Sequence, residues 1–233
     1  MNPIRIGGIE KFSIVDFPNK MSAVVFMQGC PWRCPFCHNT HLQDVNADTN
    51  IVWQKFVEFL QQRKGMLDAV VFSGGEPLVQ DGLIDAIDEV KSLGYQIGLH
   101  TGGYRPEKFI EVLKHVDWVG FDIKAPFDKE KYKVVTGGWG DVDKVLDSLK
   151  ELIASGVAFE CRTTCDPRFL TVDDLYQIAD TLKSMGVKEY YLQKYRKVPS
   201  DMDTSESQCL ALVENEDLLK HLKENFETFD VRK

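Results

Sequence analysis

The sequence lacks any apolar run of the roughly 20 residues that a membrane-crossing helix needs. Its opening stretch, MNPIRIGGIEKFSIVD, lacks the apolar core of a secretory signal. It has no internal repeat, no low-complexity tract and no linker rich in proline, glycine and serine, so one domain over residues 1–233 is expected. Positive charge is scarce: 28 Lys and Arg stand against 36 Asp and Glu, a net charge of −8. That balance argues against broad binding to nucleic acid or to anionic membranes. These absences together lead us to expect a cytoplasmic protein with an ordinary buried core.

Cysteine is sparse but clustered. The six are Cys30, Cys34, Cys37, Cys161, Cys165 and Cys209. With no export signal, clustered cysteines point to metal or redox chemistry rather than to disulfides.

Short apolar runs alternate with longer amphipathic stretches. Strands are expected at Ser22–Met27, Ala69–Phe72, Gln96–His100, Trp118–Ile123, Ala158–Thr163 and Glu189–Gln193. Helices are expected at Trp53–Arg63, Leu83–Leu93, Pro106–His115, Val142–Ser155 and Val172–Met185, with Gly94, Gly156 and Gly186 as stops behind three of them. Strands alternating with helices imply an α/β fold with a mostly parallel sheet. About six units suggest an incomplete (β/α)6-type TIM barrel, curved rather than closed. Period-two patterning supports a polar inner face: Gly120, Asp122 and Lys124 alternate with Val119, Phe121 and Ile123, and Glu160, Arg162 and Thr164 alternate with Val157, Phe159 and Cys161. The apolar sides would pack on the helices and the polar sides would line a lumen.

The strongest local signal is Gly29-Cys30-Pro31-Trp32-Arg33-Cys34-Pro35-Phe36-Cys37-His38-Asn39, a C-x3-C-x2-C spacing directly after the first expected strand. So short a loop gathers three thiolates around one centre, which suits zinc or an iron–sulfur cluster. Structural zinc wants four protein ligands, and His38, adjoining Cys37, is poorly placed to be the fourth. A four-iron cluster on three cysteines keeps one iron open for a substrate. Zinc and inert core cysteines remain as alternatives on spacing alone. Cys161 falls on an apolar strand face, and Cys165 and Cys209 read as ordinary thiols.

Further motifs follow later strands: Ser73-Gly74-Gly75-Glu76-Pro77, His100-Thr101-Gly102-Gly103, Asp122-Ile123-Lys124-Ala125-Pro126 and Arg162-Thr163-Thr164. Paired glycines let backbone approach a ligand closely, although a plain strand-to-helix turn would use them too. The cysteine loop and the Gly-Gly-Glu-Pro motif, in that order, resemble the radical S-adenosylmethionine superfamily. The Cys37-His38-Asn39 ending, the opening Gly7–Pro18 and the Asp-Ile-Lys-Ala-Pro run resemble its glycyl-radical-enzyme activating branch, nearest to activators of anaerobic ribonucleoside-triphosphate reductase. The resemblance spans nearly the whole chain.

It implies a [4Fe-4S] cluster on Cys30, Cys34 and Cys37 and a site for S-adenosylmethionine. Phe36, His38, Gly74, Gly75, Glu76, Asp122, Lys124, Arg162 and Gln193 would contact that cofactor. Lys124 would meet its carboxylate, and Asp122 a cation or ribose. Some similar activases carry Asp where His100 stands and hold a monovalent cation there, so that site is not carried over. Arg162 could instead pair with Glu160 or Asp122. Asp16 could sit at the substrate mouth, and Thr136–Gly140 could be a lid or a plain connection. The implied partners are a glycyl radical enzyme, with anaerobic ribonucleotide reductase first, and an electron donor such as flavodoxin or ferredoxin. Activation of a pyruvate formate-lyase relative, a small-molecule radical enzyme and a zinc-stabilised interaction module are the competing readings.

Overall fold

The computed structural model describes residues 4–233. The six expected strands are present as β2 (Ser22–Met27), β3 (Ala69–Gly74), β4 (Gln96–Thr101), β5 (Trp118–Asp122), β6 (Ala158–Cys165) and β7 (Glu189–Lys194). Two edge strands extend the expected six: β1 (Ile6–Ser13) and β8 (Thr228–Arg232). The eight strands form one sheet in the order of the sequence, antiparallel between β1 and β2 and parallel from β2 to β8. β1 and β8 do not pair with each other, so the barrel stays open along one seam.

Helices α1 (Trp53–Gln62), α2 (Leu83–Ser92), α3 (Pro106–Leu113), α5 (Val142–Ser155) and α6 (Val172–Ser184) match the amphipathic stretches, and α4 (Lys129–Val135), α7 (Glu206–Val213) and α8 (Glu216–Asn225) add to them. Local chemistry sets their ends. Thr171 and Asp174 form a reciprocal capping box that starts α6. Gly156 ends α5 at φ 74°, a left-handed conformation that glycine adopts without a Cβ clash.

The outward strand faces pack on the helices as expected. Val25, Val70, Phe72, Leu99 and Phe121 are fully buried there with Val145, Leu149 and Leu152 of α5 and their neighbours. Each such side chain contributes about 1.5–3 kcal/mol by leaving water.

The inner face departs from the expected polar lumen. Phe17, Val24, Ala69, Val71 and Trp118 form a separate apolar cluster, with the Phe17 and Trp118 rings 5.2 Å apart. The register explains the layering. Val24 pairs with Val71, Val71 with Gly98 and Gly98 with Trp118, which sets one apolar layer near the strand starts. Asp122 pairs with Arg162 near the strand ends. The lumen is therefore plugged at its base, and only its upper half is polar.

Candidate functional site

All twelve residues singled out from the sequence line one cavity of about 320 Å³ at the C-terminal ends of the strands. That is the end at which parallel barrels hold their chemistry. Cys30, Cys34 and Cys37 arrive on the loop after β2, Gly74 at the end of β3 with Gly75 and Glu76 just beyond it, and Asp122 and Lys124 at the end of β5. Arg162 comes from β6 and Gln193 from β7.

The cysteine loop is fixed by its backbone. Gly29 N–H donates to Leu42 O at 2.7 Å, Cys30 N–H to Gln43 O at 3.2 Å and Cys37 N–H to Cys34 O at 3.0 Å. All three thiols are free and partly buried. Burial pushes the Cys30 thiol up to about 12 and raises Cys34 as well, so each stays protonated until a metal takes it as thiolate. Cys161, Cys165 and Cys209 are fully buried elsewhere and do not line the cavity. His38 sits at the rim with Nε2 donating to Arg196 O at 2.9 Å, which occupies that nitrogen. Among the described residues, no three His, Cys, Asp or Glu side chains converge on a position for a single ion. A four-iron cluster takes each thiolate on a different iron, so a looser triplet with no fourth ligand fits it and does not fit tetrahedral zinc. Trp32, between Cys30 and Cys34, lines the same cavity, and its buried Nε1–H has no partner among the described residues.

The two glycines serve the chain's own backbone first. A Cβ on Gly75 would lie 2.1 Å from Gly29 O, and one on Gly74, at φ 111°, would lie 2.3 Å from Met27 N. Gly75 N–H donates to Met27 O at 3.0 Å and Glu76 N–H to Gly29 O at 2.9 Å. The motif thus seats the cysteine loop against β3, a cause that differs from the expected close approach of a ligand. Glu76 is buried, and both its oxygens are engaged: Oε1 accepts from Thr101 Oγ1 at 2.6 Å and Leu78 N–H at 3.1 Å, and Oε2 from Gly102 N–H at 2.9 Å. Burial raises its pKa against those bonds. Its role is to lock the end of β3 to the end of β4. Thr101, Gly102 and Trp32 also line the cavity and were not assigned from the sequence. A Cβ at Gly102 would sit 2.2 Å from the Trp32 ring, so the His-Thr-Gly-Gly run after β4 held the signal.

The polar wall is an ion-paired set. Arg162 Nε donates to Asp122 Oδ1 at 2.9 Å and Nη2 stands 2.8 Å from the same oxygen. Of the two partners weighed for Arg162, the structure selects Asp122, because Glu160 is fully buried and paired with Arg232. Lys124 Nζ lies 3.8 Å from Asp122 Oδ2, 5.3 Å from the centre of the Trp32 ring and 5.9 Å from that of Phe36. Burial pushes Asp122 up, but Arg162 and then Lys124 outweigh it and hold it below the usual carboxylate range. Burial pulls Lys124 down, and the Asp122 carboxylate reverses that, so it keeps its proton. Its side chain is 15% exposed, leaving the ammonium accessible from the cavity for an incoming carboxylate.

His100 is held on both nitrogens, with Ser73 Oγ 3.2 Å from Nδ1 and Asp16 O 2.9 Å from Nε2. The carbonyl can only accept, so Nε2 carries the proton and Nδ1 accepts from the Ser73 hydroxyl. Burial, then Arg162, lowers its pKa to about 3, and the ring is neutral. Thr136–Gly140 joins α4 to α5, and none of its residues lines the cavity.

The Radical SAM superfamily model matches residues 24–182. A Methanocaldococcus jannaschii protein assigned by name to the glycyl-radical enzyme activating enzymes is 32% identical over 212 residues, 83% of this chain and 85% of that one. The pyruvate formate-lyase-activating enzyme of Clostridium pasteurianum is 30% identical over 242 residues, 96% of this chain and 98% of that one. Among solved structures, Streptococcus suis SuiB bound to S-adenosylmethionine superposes with a TM-score of 0.68 at 15% identity, covering 88% of this chain. This chain spans 48% of that larger protein. Escherichia coli QueE superposes with a TM-score of 0.58 at 14% identity, over 99% of this chain and 94% of that one. At such identities these two share the fold. No helix among the described residues is long and apolar enough to cross a membrane. The interaction-module reading therefore falls, and the chain belongs to the Radical SAM superfamily, as an enzyme whose cofactors are a [4Fe-4S] cluster and S-adenosylmethionine.

Proposed function

We propose that this enzyme forms a radical on a glycine of a partner protein, and that the partner is an anaerobic ribonucleoside-triphosphate reductase. The observation that supports a glycine substrate is the shape of the mouth, and the choice of partner rests on the motif resemblance. The cavity continues into an open groove of about 600 Å³ between the β1–β2 turn and the ends of β7 and β8. The two share Asp16, His38, Arg162, Thr164 and Gln193. A groove of that form admits an extended chain segment, and glycine presents its α-carbon without a side chain in the way. Full-length similarity to proteins named as activating enzymes supports the same reading.

When bound, the cluster and S-adenosylmethionine supply one-electron cleavage chemistry that removes a hydrogen atom from a substrate carbon. In this reading Cys30, Cys34 and Cys37 hold the cluster. Lys124 pairs with the cofactor carboxylate, and Asp122, fixed by Arg162, orients it. Thr164 Oγ1 and Gln193 Oε1, 3.3 Å apart, offer polar contacts at the mouth. Trp32 and Phe36 cover the cysteine side and exclude water. The electron comes from a carrier of the flavodoxin or ferredoxin kind.

A second reading, activation of a pyruvate formate-lyase relative, is favoured by the alignment with the Clostridium pasteurianum activase across 96% of this chain. One experiment separates the readings. Reconstituted enzyme is incubated with each partner, deuterated at its glycine α-carbons. The true partner gains a glycyl signal in electron paramagnetic resonance and passes deuterium to 5′-deoxyadenosine. Transfer from neither, with a small metabolite accelerating cofactor cleavage, overturns both.

A further inference from the structure

We propose that the face behind the cysteine loop, formed by Arg33, Val134 and Trp139, is the docking site of an acidic one-electron carrier protein. This rests on the reading above only in needing an external electron.

The turn Thr136–Gly140 is keyed into the cysteine loop. Arg33 N–H donates to Thr136 O at 3.0 Å. Gly137 adopts φ 71°, and a Cβ on it would lie 2.3 Å from Arg33 O. The turn is also closed on itself, by Gly138 N–H to Lys133 O at 2.6 Å and Gly140 N–H to Thr136 Oγ1 at 2.8 Å. On this pinned support Trp139 is 69% exposed and Val134 57% exposed. Trp32 and Trp118 are buried, and Trp53 packs on Phe56 and Phe72, so Trp139 stands apart from the other tryptophans. An exposed indole on a rigid turn carries little ordering cost on association, and Trp and Arg are the side chains that dominate interface energies.

Charge selects the partner. The Arg33 guanidinium bonds to the carbonyls of Cys30 at 2.7 Å and Trp32 at 2.9 Å, and no ion pair engages it among the described residues. The neighbouring Lys133 has only an exposed pair with Glu130 at 3.6 Å, which is worth little. The chain as a whole carries −8, and Glu130 and Asp141 flank the turn, so the attraction for an acidic carrier on this face rests on Arg33, whose charge no carboxylate offsets among the described residues. Neither Arg33, Val134 nor Trp139 lines the cavity, so carrier and substrate protein can be bound together. The transfer balances: the carrier is oxidised by one electron, the centre at Cys30, Cys34 and Cys37 is reduced by one, and no bond or proton moves. The route is short, since the Thr136–Arg33 contact lies one residue from Cys34.

The test uses reconstituted full-length enzyme with flavodoxin and ferredoxin as probes. Calorimetry should show binding of one or both that weakens with salt and falls about tenfold in Trp139→Ala, with Val134→Ser weakened in the same direction. Arg33→Glu should bind less and lose much of the salt dependence. Cofactor cleavage driven by the carrier should slow in Trp139→Ala, while cleavage driven by dithionite stays within about twofold of wild type. Binding of neither probe to wild type overturns the proposal, as does unchanged binding in Trp139→Ala. Equal loss of carrier-driven and dithionite-driven cleavage also overturns it, assigning the turn to support of the cysteine loop. Both readouts omit the substrate protein, so a wrong choice of glycyl partner leaves them untouched.

Discussion

Two sets of three cysteines invite comparison. Cys161 and Cys165 lie on β6 and Cys209 on α7, all at 0% exposure within the core. Cys165 has no better partner than a weak bond to Thr163 O at 3.5 Å. Cys30, Cys34 and Cys37 lie on one loop, partly buried, at the edge of a cavity that also holds a lysine. Burial raises the thiol pKa of Cys30 and Cys34 and of the core set alike, so proton affinity does not separate them. What separates them is arrangement. One set shares a loop and an open space, whereas the other is scattered through packed side chains as small apolar fillers.

The sharpest break of that comparison is Cys34→Ala. Iron and sulfide per chain should fall to background and cofactor cleavage should disappear. A variant that keeps a full cluster would erase the distinction. Next in size is Gly75→Val. Because its Cβ would collide with Gly29 O, cluster content should drop together with cofactor affinity. Weakened S-adenosylmethionine binding on an intact cluster would instead return the glycine to the ligand.

The contrast extends to His100, which lines the cavity with both ring nitrogens held by the chain itself. Its folded pKa of about 3 lies below the ordinary value of 6.5, so the unfolded chain binds the proton first as pH falls. The neutral ring's contribution is complete above pH 6.5 and is lost progressively down to about pH 3. Urea unfolding of the metal-free protein should show about 2 kcal/mol less advantage of wild type over His100→Gln at pH 5 than at pH 7. An advantage that does not change with pH would show that the imidazole charges inside the fold. The smallest effect belongs to Cys161→Ala: about 1 kcal/mol of stability lost by urea unfolding, with iron content unchanged.

The sequence carried the central strands well, because β2, β3 and β5 are short apolar runs rich in Val and Phe, and β4 and β6 alternate apolar with polar residues between turns. The edge strands were illegible for the same reason that they are edges. β1 reads IGGIEKFS and β8 reads TFDVR, with charges where a central strand would be apolar. α8 was not expected, although Leu218 and Leu222 repeat at helical spacing on a charged background. At the site, spacing found the cysteines, and motif order found the residues that share their cavity. Glu76 was singled out from its motif, whereas its bonds within the fold were not legible. A buried carboxylate satisfied by Thr101, Gly102 and Leu78 depends on contacts up to 26 residues away, and no local pattern announces them.

The strand order has a consequence for how the chain is made. Each parallel strand lies beside the one that precedes it in sequence, so during synthesis every new βα unit meets a neighbour that has already emerged. Each pairing still spans a whole βα crossover, as from Ser22 to Ala69, so the sheet forms more slowly than a bundle of local helix contacts would. The cysteine loop and its seat on Gly74 and Gly75 can form before the strands from β5 onward have emerged. The exception is Glu160 on β6, whose bidentate partner Arg232 arrives with the final strand. Until β8 docks, that carboxylate lacks its counter-charge, and the docking of β8 neutralises it.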